Sequence, residues 1–171
     1  MRTEPPSNPQ PHPPAHPVPI PFRDPWQYEL RFPCDPRGPR VARTTLRAVL
    51  DAHGLGELID RAALLTSELA TNSVQHTRSP AAVRLHWLFP VLRVSVMDLS
   101  PELPRILRPA PSAHDETGRG LTLLDRLADR WGGCATSDGP FGGGGKTMWF
   151  ELTVADAPPP LTPSSASALA A

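Results

Sequence analysis

The sequence predicts an α/β fold, a two-layer α/β sandwich whose mixed, largely antiparallel sheet is covered on one face by helices. Short segments of alternating apolar residues read as half-buried strands. Stretches with apolar residues at helical spacing fall between them. Strands that follow each other as adjacent hairpins favour an antiparallel or mixed sheet over a doubly wound parallel one, and the amphipathic helices must then cover a face of it. With 171 residues, the chain fits one domain with tails and can bury a core without disulfides.

The elements follow in order. Residues 1–25 are proline-dense, which keeps a chain extended and prevents it from building a core. Trp26 to Phe32 sets Trp26, Tyr28, Leu30 and Phe32 on one face of a strand. Pro39 to His53 is a helix with an apolar stripe at Val41, Leu46, Val49 and Leu50, stopped by Gly54. A second helix runs from about Leu58 to His76. Ala82 to Leu88 and Val91 to Met97 form a hairpin around Phe89-Pro90. Pro101 to Thr117 is rich in proline and charge with little periodicity, a long loop of the kind that is functional or disordered. Gly118 to Trp131 is a helix with Leu121, Leu124, Leu127 and Ala128 on one face. Cys134 to Ser137 is a short strand. After the turn at Gly142 to Gly145, Thr147 to Val154 is the last strand, burying Met148, Phe150 and Leu152, and Trp131 and Trp149 are expected in the core. The folded unit is therefore 26–154, followed by a Pro/Ala/Ser-rich tail over 155–171.

Composition narrows the function. Seventeen basic residues balance seventeen acidic ones, so there is no electrostatic footprint for nucleic acid or an anionic membrane. No apolar run approaches the roughly 20 residues of a membrane span. Prolines interrupt the N-terminus where a secretory signal would need a continuous apolar stretch. Cys34 and Cys134 lie far apart without metal-type spacing and read as free thiols. The expected location is the cytoplasm.

Four features carry chemistry. Glu68 and Asn72 sit at i and i+4 on one face of an otherwise greasy helix, Leu64 to His76. Buried there, each needs a partner. A carboxylate beside an amide oxygen suits a hydrated magnesium ion, and the carboxylate is a candidate general base. The plain alternative is a helix whose polar face meets solvent. Asp98 ends a buried strand, where it can accept the amino hydrogen of adenine, at a point where guanine offers a carbonyl. Opening the turn Asp98-Leu99-Ser100-Pro101 is an equal alternative. Gly118-Arg119-Gly120-Leu121 precedes a helix, where glycines admit a phosphate close to free amides and the helix dipole favours its charge. A flexible entry to the helix would look the same. Gly142-Gly143-Gly144-Gly145-Lys146-Thr147 is not a Walker A loop, because Pro140 occupies its first glycine position and a strand follows. It is a connection between strands from which Thr147 can reach a nucleotide base. His76 has no second His or Cys at ligand spacing, so it is read as a helix-end residue.

Taken together these residues resemble the GHKL superfamily of ATP-binding domains, closest to the bacterial anti-sigma-factor serine/threonine kinases. Glu68-Leu69-Ala70-Thr71-Asn72 is similar to their N box, Asp98 to the aspartate of the G1 box, and Gly118-Arg119-Gly120-Leu121 to the G2 box. Gly145 to Leu152 is similar to the closing strand. The likeness covers roughly Trp26 to Val154 and implies a histidine kinase-like, Bergerat-type ATP site. Asn72 would bind Mg2+ and Asp98 the adenine. Gly118, Arg119, Gly120 and Leu121 would hold the phosphates under a lid drawn from Pro101 to Thr117. Glu68 would deprotonate a serine on a partner. The implied partners are an anti-sigma-factor antagonist and a sigma factor, and the family's members often form homodimers. Val41 to Thr45 resembles the first-helix segment whose arginine, Arg43 here, contacts partners. Two departures stand out: Leu99 and Ser100 follow Asp98 where the G1 glycine belongs, and the lid is proline-rich.

The expected function is thus regulation of transcription by an ATP-dependent protein-serine kinase that also sequesters a sigma factor. The alternative is a non-catalytic regulator that acts by docking alone. A sensor histidine kinase fragment would need a phosphoacceptor helix pair upstream, where this sequence is proline-rich.

Overall fold

The computed structural model describes residues 18–100, 102–103, 116–137 and 139–155. In order, the elements are β1 (Trp26–Phe32), α1 (Gly38–Ala52), α2 (Ile59–Thr77), β2 (Ala81–Leu88), β3 (Val91–Asp98), α3 (Glu116–Leu127), β4 (Arg130–Thr136) and β5 (Gly145–Thr153). A short 3-10 turn, Gly56–Leu58, leads into α2.

The sheet has the order β1-β2-β3-β5-β4. All four neighbouring pairs are antiparallel, so the mixed sheet expected from the sequence is corrected to an antiparallel one among the described strands. The connections explain this. The α1–α2 helical hairpin returns the chain beside β1 in the opposite sense, β2–β3 and β4–β5 are hairpins, and β5 enters between β3 and β4.

Register fixes two faces. Val83, Leu85 and Trp87 of β2 lie opposite Val96, Val94 and Leu92 of β3, which in turn oppose Met148, Phe150 and Leu152 of β5. All nine are buried, and their strands pack against α2, whose Ala62, Leu65, Thr66, Leu69 and Ser73 form the inward stripe. Alternation sends the other residues of each strand to the opposite face. That face carries a charge ladder instead of helices. Glu29 accepts from Arg31 and Arg84 at 2.7 Å each, and Arg93 pairs with Glu151 at 3.3 Å. Two layers result, with one core between helices and sheet.

Several local expectations shift. Pro39 sits in the first turn of α1, where its missing N–H costs nothing, and the left-handed Gly54 (φ 71°) lies just past the end. The inward stripe of α1 is Ala42, Leu46 and Leu50, and Val41 is exposed. Helix α3 starts at Glu116 and stops at Leu127, short of Trp131, because the Leu127 carbonyl accepts from Arg61 and Asp129 is claimed by β5. The chain then enters β4 through Gly132 and Gly133, residues that look like a break. A Cβ at Gly132 would stand 2.8 Å from the Trp149 ring, and one at Gly133 would overlap the Met148 sulfur, so a side chain at either position would displace its neighbour on β5. Trp149 is not a core residue; it lies on the open face under the Arg93 guanidinium, 3.9 Å from its ring centre. The folded unit also begins before Trp26. Trp87 donates its indole N–H to the Phe22 carbonyl at 2.7 Å, and the Phe22 ring meets Trp87 edge-on. Residues 1–17 and 156–171, and most of the expected lid over Pro101 to Thr117, lie outside the described residues. Both cysteines are free and exposed. No helix among the described residues is long and apolar enough to cross a membrane.

Candidate functional site

The site grows from one hydrogen bond. Helix α2 packs its C-terminal half against β3, which carries Asp98 at its end. Ser73, on the inward stripe of α2, donates its hydroxyl to Asp98 Oδ2 at 2.8 Å, and both residues are 4% exposed. This bond fixes the end of the helix to the end of the strand. Asn72 is the next residue back along α2, and Glu68 lies one turn earlier.

Asp98 is held from three sides. Besides Ser73, the backbone N–H of Ser100 donates to Oδ1 at 2.9 Å, closing the turn read in the sequence. The Lys146 ammonium lies 3.4 Å from Oδ1, with side chains 11% and 1% exposed for Lys146 and Asp98. Lys146 faces Asp98 because the two are register partners across β3 and β5. Gly145 makes this approach possible, since a Cβ there would overlap the Asp98 carbonyl oxygen. The two readings of Asp98, turn-former and pocket acid, therefore coincide in one residue: Oδ1 serves the turn and the lysine, and Oδ2 serves the serine.

Glu68 and Asn72 are half-buried, and neither makes a side-chain hydrogen bond or ion pair among the described residues. Helix α2 is not buried all round, as its apolar run suggested. Leu64 is exposed, and the flank carrying Arg61, Glu68 and Asn72 is only half covered. That flank runs beside α3. Arg61 donates to the Leu127 carbonyl at 2.9 and 2.6 Å and to Asp129 at 2.7 Å, setting the start of α2 against the end of α3.

Gly118, Arg119 and Gly120 do not precede the helix; they lie within the first turns of α3. Leu121 packs against the core. Thr147 is a correction. Its hydroxyl shares a 3.0 Å hydrogen bond with Thr136, and strand alternation puts it on the face opposite Asp98 and Lys146, so it does not join this group. Arg43 is exposed on α1. His76 is exposed in the last turn of α2. No cluster of three or more His, Cys, Asp and Glu suited to a metal occurs among the described residues.

Ser73 and Lys146 were missed in the sequence. The signal for Lys146 was present: it shares the parity of Met148, Phe150 and Leu152, the buried face of β5. The glycine run drew attention to turn chemistry instead. A separate cleft of about 460 Å³ at the β1 edge, lined in part by Ile20, Phe22, Tyr28 and His53, contains none of the predicted site residues.

No family model matches the chain. An uncharacterized protein of Streptomyces coelicolor is 42% identical over 69 residues, which make up 39% of this chain and 66% of that protein. The chain therefore spans just under two thirds of that relative's length, and the relative carries no assigned activity.

Proposed function

We propose that the domain binds MgATP where α2, α3 and the end of β3 come together, and that it acts as a protein-serine kinase of the GHKL type. The observation that carries this is the Ser73–Asp98 bond, which ties a buried acid to the helix that carries Glu68 and Asn72, two side chains without a partner among the described residues. The residues fit the ligand in three respects. A carboxylate offers about four acceptor sites, and the two hydrogen bonds from Ser73 and Ser100 leave room on Asp98 for an adenine amino hydrogen beside the Lys146 charge. The Asn72 oxygen is a hard ligand with no partner among the described residues, as magnesium with its waters and phosphates requires. Measured along the helix axes from the Arg61–Leu127 contact, Asn72 is about 16 Å along α2 and Gly118 about 14 Å back along α3. This spacing suits a site with magnesium and phosphate at one level of the helix pair.

The chemistry then follows. Magnesium, when bound, neutralises charge on the transferring phosphoryl group. Glu68 takes the proton of a serine hydroxyl on the partner. The serine oxygen forms its bond to the γ-phosphorus as the bond to the β-phosphate oxygen breaks, leaving ADP. By resemblance, the acceptor is an anti-sigma-factor antagonist and the sequestered partner a sigma factor.

One observation favours the second reading, a regulator that binds without transferring phosphate: the same three contacts that position Asp98 also serve as a structural clasp. Titration calorimetry with MgATP and MgGTP, followed by transfer from γ-labelled ATP to candidate antagonists, separates the two. Selective ATP binding with labelled product supports the kinase. Binding without transfer leaves the regulator, and no binding of either nucleotide removes the nucleotide reading.

A further inference from the structure

Lys146 is a largely covered charge beside Asp98 that the proposed chemistry leaves unused. Its ammonium is largely out of water, yet it makes no hydrogen bond among the described residues. Its contact with Asp98 Oδ1, at 3.4 Å, is a charge pairing without hydrogen-bond alignment. Oδ1 already accepts from the Ser100 amide at 2.9 Å, and the lysine's own three donors remain open. Burying an ammonium in that state is costly unless an acceptor completes it. Lys146 also faces the same side of the sheet as Asp98, because the two are register partners, and that side meets α2.

A purine edge carries what this pair lacks. Adenine presents an amino donor directly beside a ring-nitrogen acceptor. Asp98 has acceptor sites to spare, and Lys146 has donors to spare, a few ångströms apart on one face. We infer that Lys146 and Asp98 together read the adenine edge, with Lys146 donating to ring nitrogen N1 while Asp98 accepts from the exocyclic amine. Lys146 thereby becomes a specificity-determining residue of the site. The inference rests on the nucleotide reading above and adds to it a second polar contact, made directly from the protein to the base.

The test compares ATP with the analogue in which N1 is replaced by C–H, using calorimetry with magnesium on the wild-type chain and on Lys146→Met. Wild type is expected to bind the analogue about tenfold to a hundredfold more weakly, the loss of a hydrogen bond from a charged donor. In Lys146→Met, ATP is expected to fall to the level of the analogue, with circular dichroism reporting a native fold. The wild-type comparison requires no variant, so it decides even if Lys146→Met fails to fold. Equal binding of ATP and analogue by wild type overturns the role of Lys146 while leaving the nucleotide site standing, and Lys146 is then only the counter-ion of Asp98. A preference for ATP that survives in folded Lys146→Met overturns it as well. Absence of any ATP binding overturns the nucleotide reading and this inference with it.

Discussion

Two hydroxyls on the buried stripe of α2 make opposite predictions from the same chemistry. Thr66 is 0% exposed, and its Oγ1 has no hydrogen-bond partner. Elsewhere on the helix, Ser67 and Thr77 bond back to the carbonyls of Ala63 and Ser73, but Thr66 does not. An unsatisfied buried hydroxyl costs about 1–3 kcal/mol. Thr66→Val replaces it with a methyl of nearly the same shape and helix propensity. Stability should therefore rise by about 1–2 kcal/mol, the upper part of the range being discounted for the slightly larger methyl. Ser73→Ala removes the 2.8 Å bond to Asp98, a bond to a charged acceptor. That loss is about 1.5–3 kcal/mol, reduced by about 0.5 kcal/mol for the better helix propensity of alanine. The two variants should thus separate by about 2–4 kcal/mol with wild type between them. Urea unfolding followed by circular dichroism measures this, provided the m-value is unchanged. In thermal melts, each kcal/mol corresponds to about 3–6 °C for a domain of this size. If Thr66→Val is destabilised, or Ser73→Ala matches wild type, the assignment of these hydroxyls and of the helix–strand bond is wrong.

Further expectations concern the site and the sheet. Gly145→Ala forces a Cβ onto the backbone of Asp98, where no rotamer offers an escape, so a loss of about 3 kcal/mol or more is expected in urea unfolding. Asn72→Ala should keep the fold, since the side chain has no partner among the described residues, and should lose magnesium-dependent ATP binding by calorimetry. Near-wild-type affinity would remove the magnesium assignment. Glu68→Ala should keep ATP binding and lose about 10²–10⁴ in labelled phosphoryl transfer, the usual worth of a general base. Hydrogen bonds from Arg31, then Arg84, hold Glu29 below its ordinary 4.5. A lowered carboxylate adds stability that is fully present above 4.5 and is lost as pH falls through its folded value. Glu29→Gln should therefore flatten the acid side of the stability–pH curve relative to wild type. An unchanged acid limb would show that this open-face cluster contributes nothing.

Much of the secondary structure could be read from the residues because it depends on local pattern. The alternation of Trp26, Tyr28, Leu30 and Phe32 is strand β1, with Trp26 and Phe32 buried and Tyr28 left at the rim. The hairpin around Phe89-Pro90 and the buried Met148, Phe150 and Leu152 follow from the same period-two rule. Elements failed where a distant partner overrode local signals. Gly132 and Gly133 fall between the helix and the strand expected from the sequence, yet they belong to β4, paired with Trp149 and Met148 of β5. The end of α3 is set by Arg61, which is remote in sequence.

For the candidate site, chemistry was visible and direction was not. The sequence by itself determined that an acid and an amide share one helix face and that a further acid ends a strand, because spacing along a regular element decides which residues point together. Only the tertiary structure decided that Ser73 binds Asp98, that Lys146 joins them and that Thr147 turns away. The packing of α2 on β3 makes the first choice and the pairing of β3 with β5 the other two, and a shift of one residue in that register would exchange Lys146 for Thr147 beside the acid.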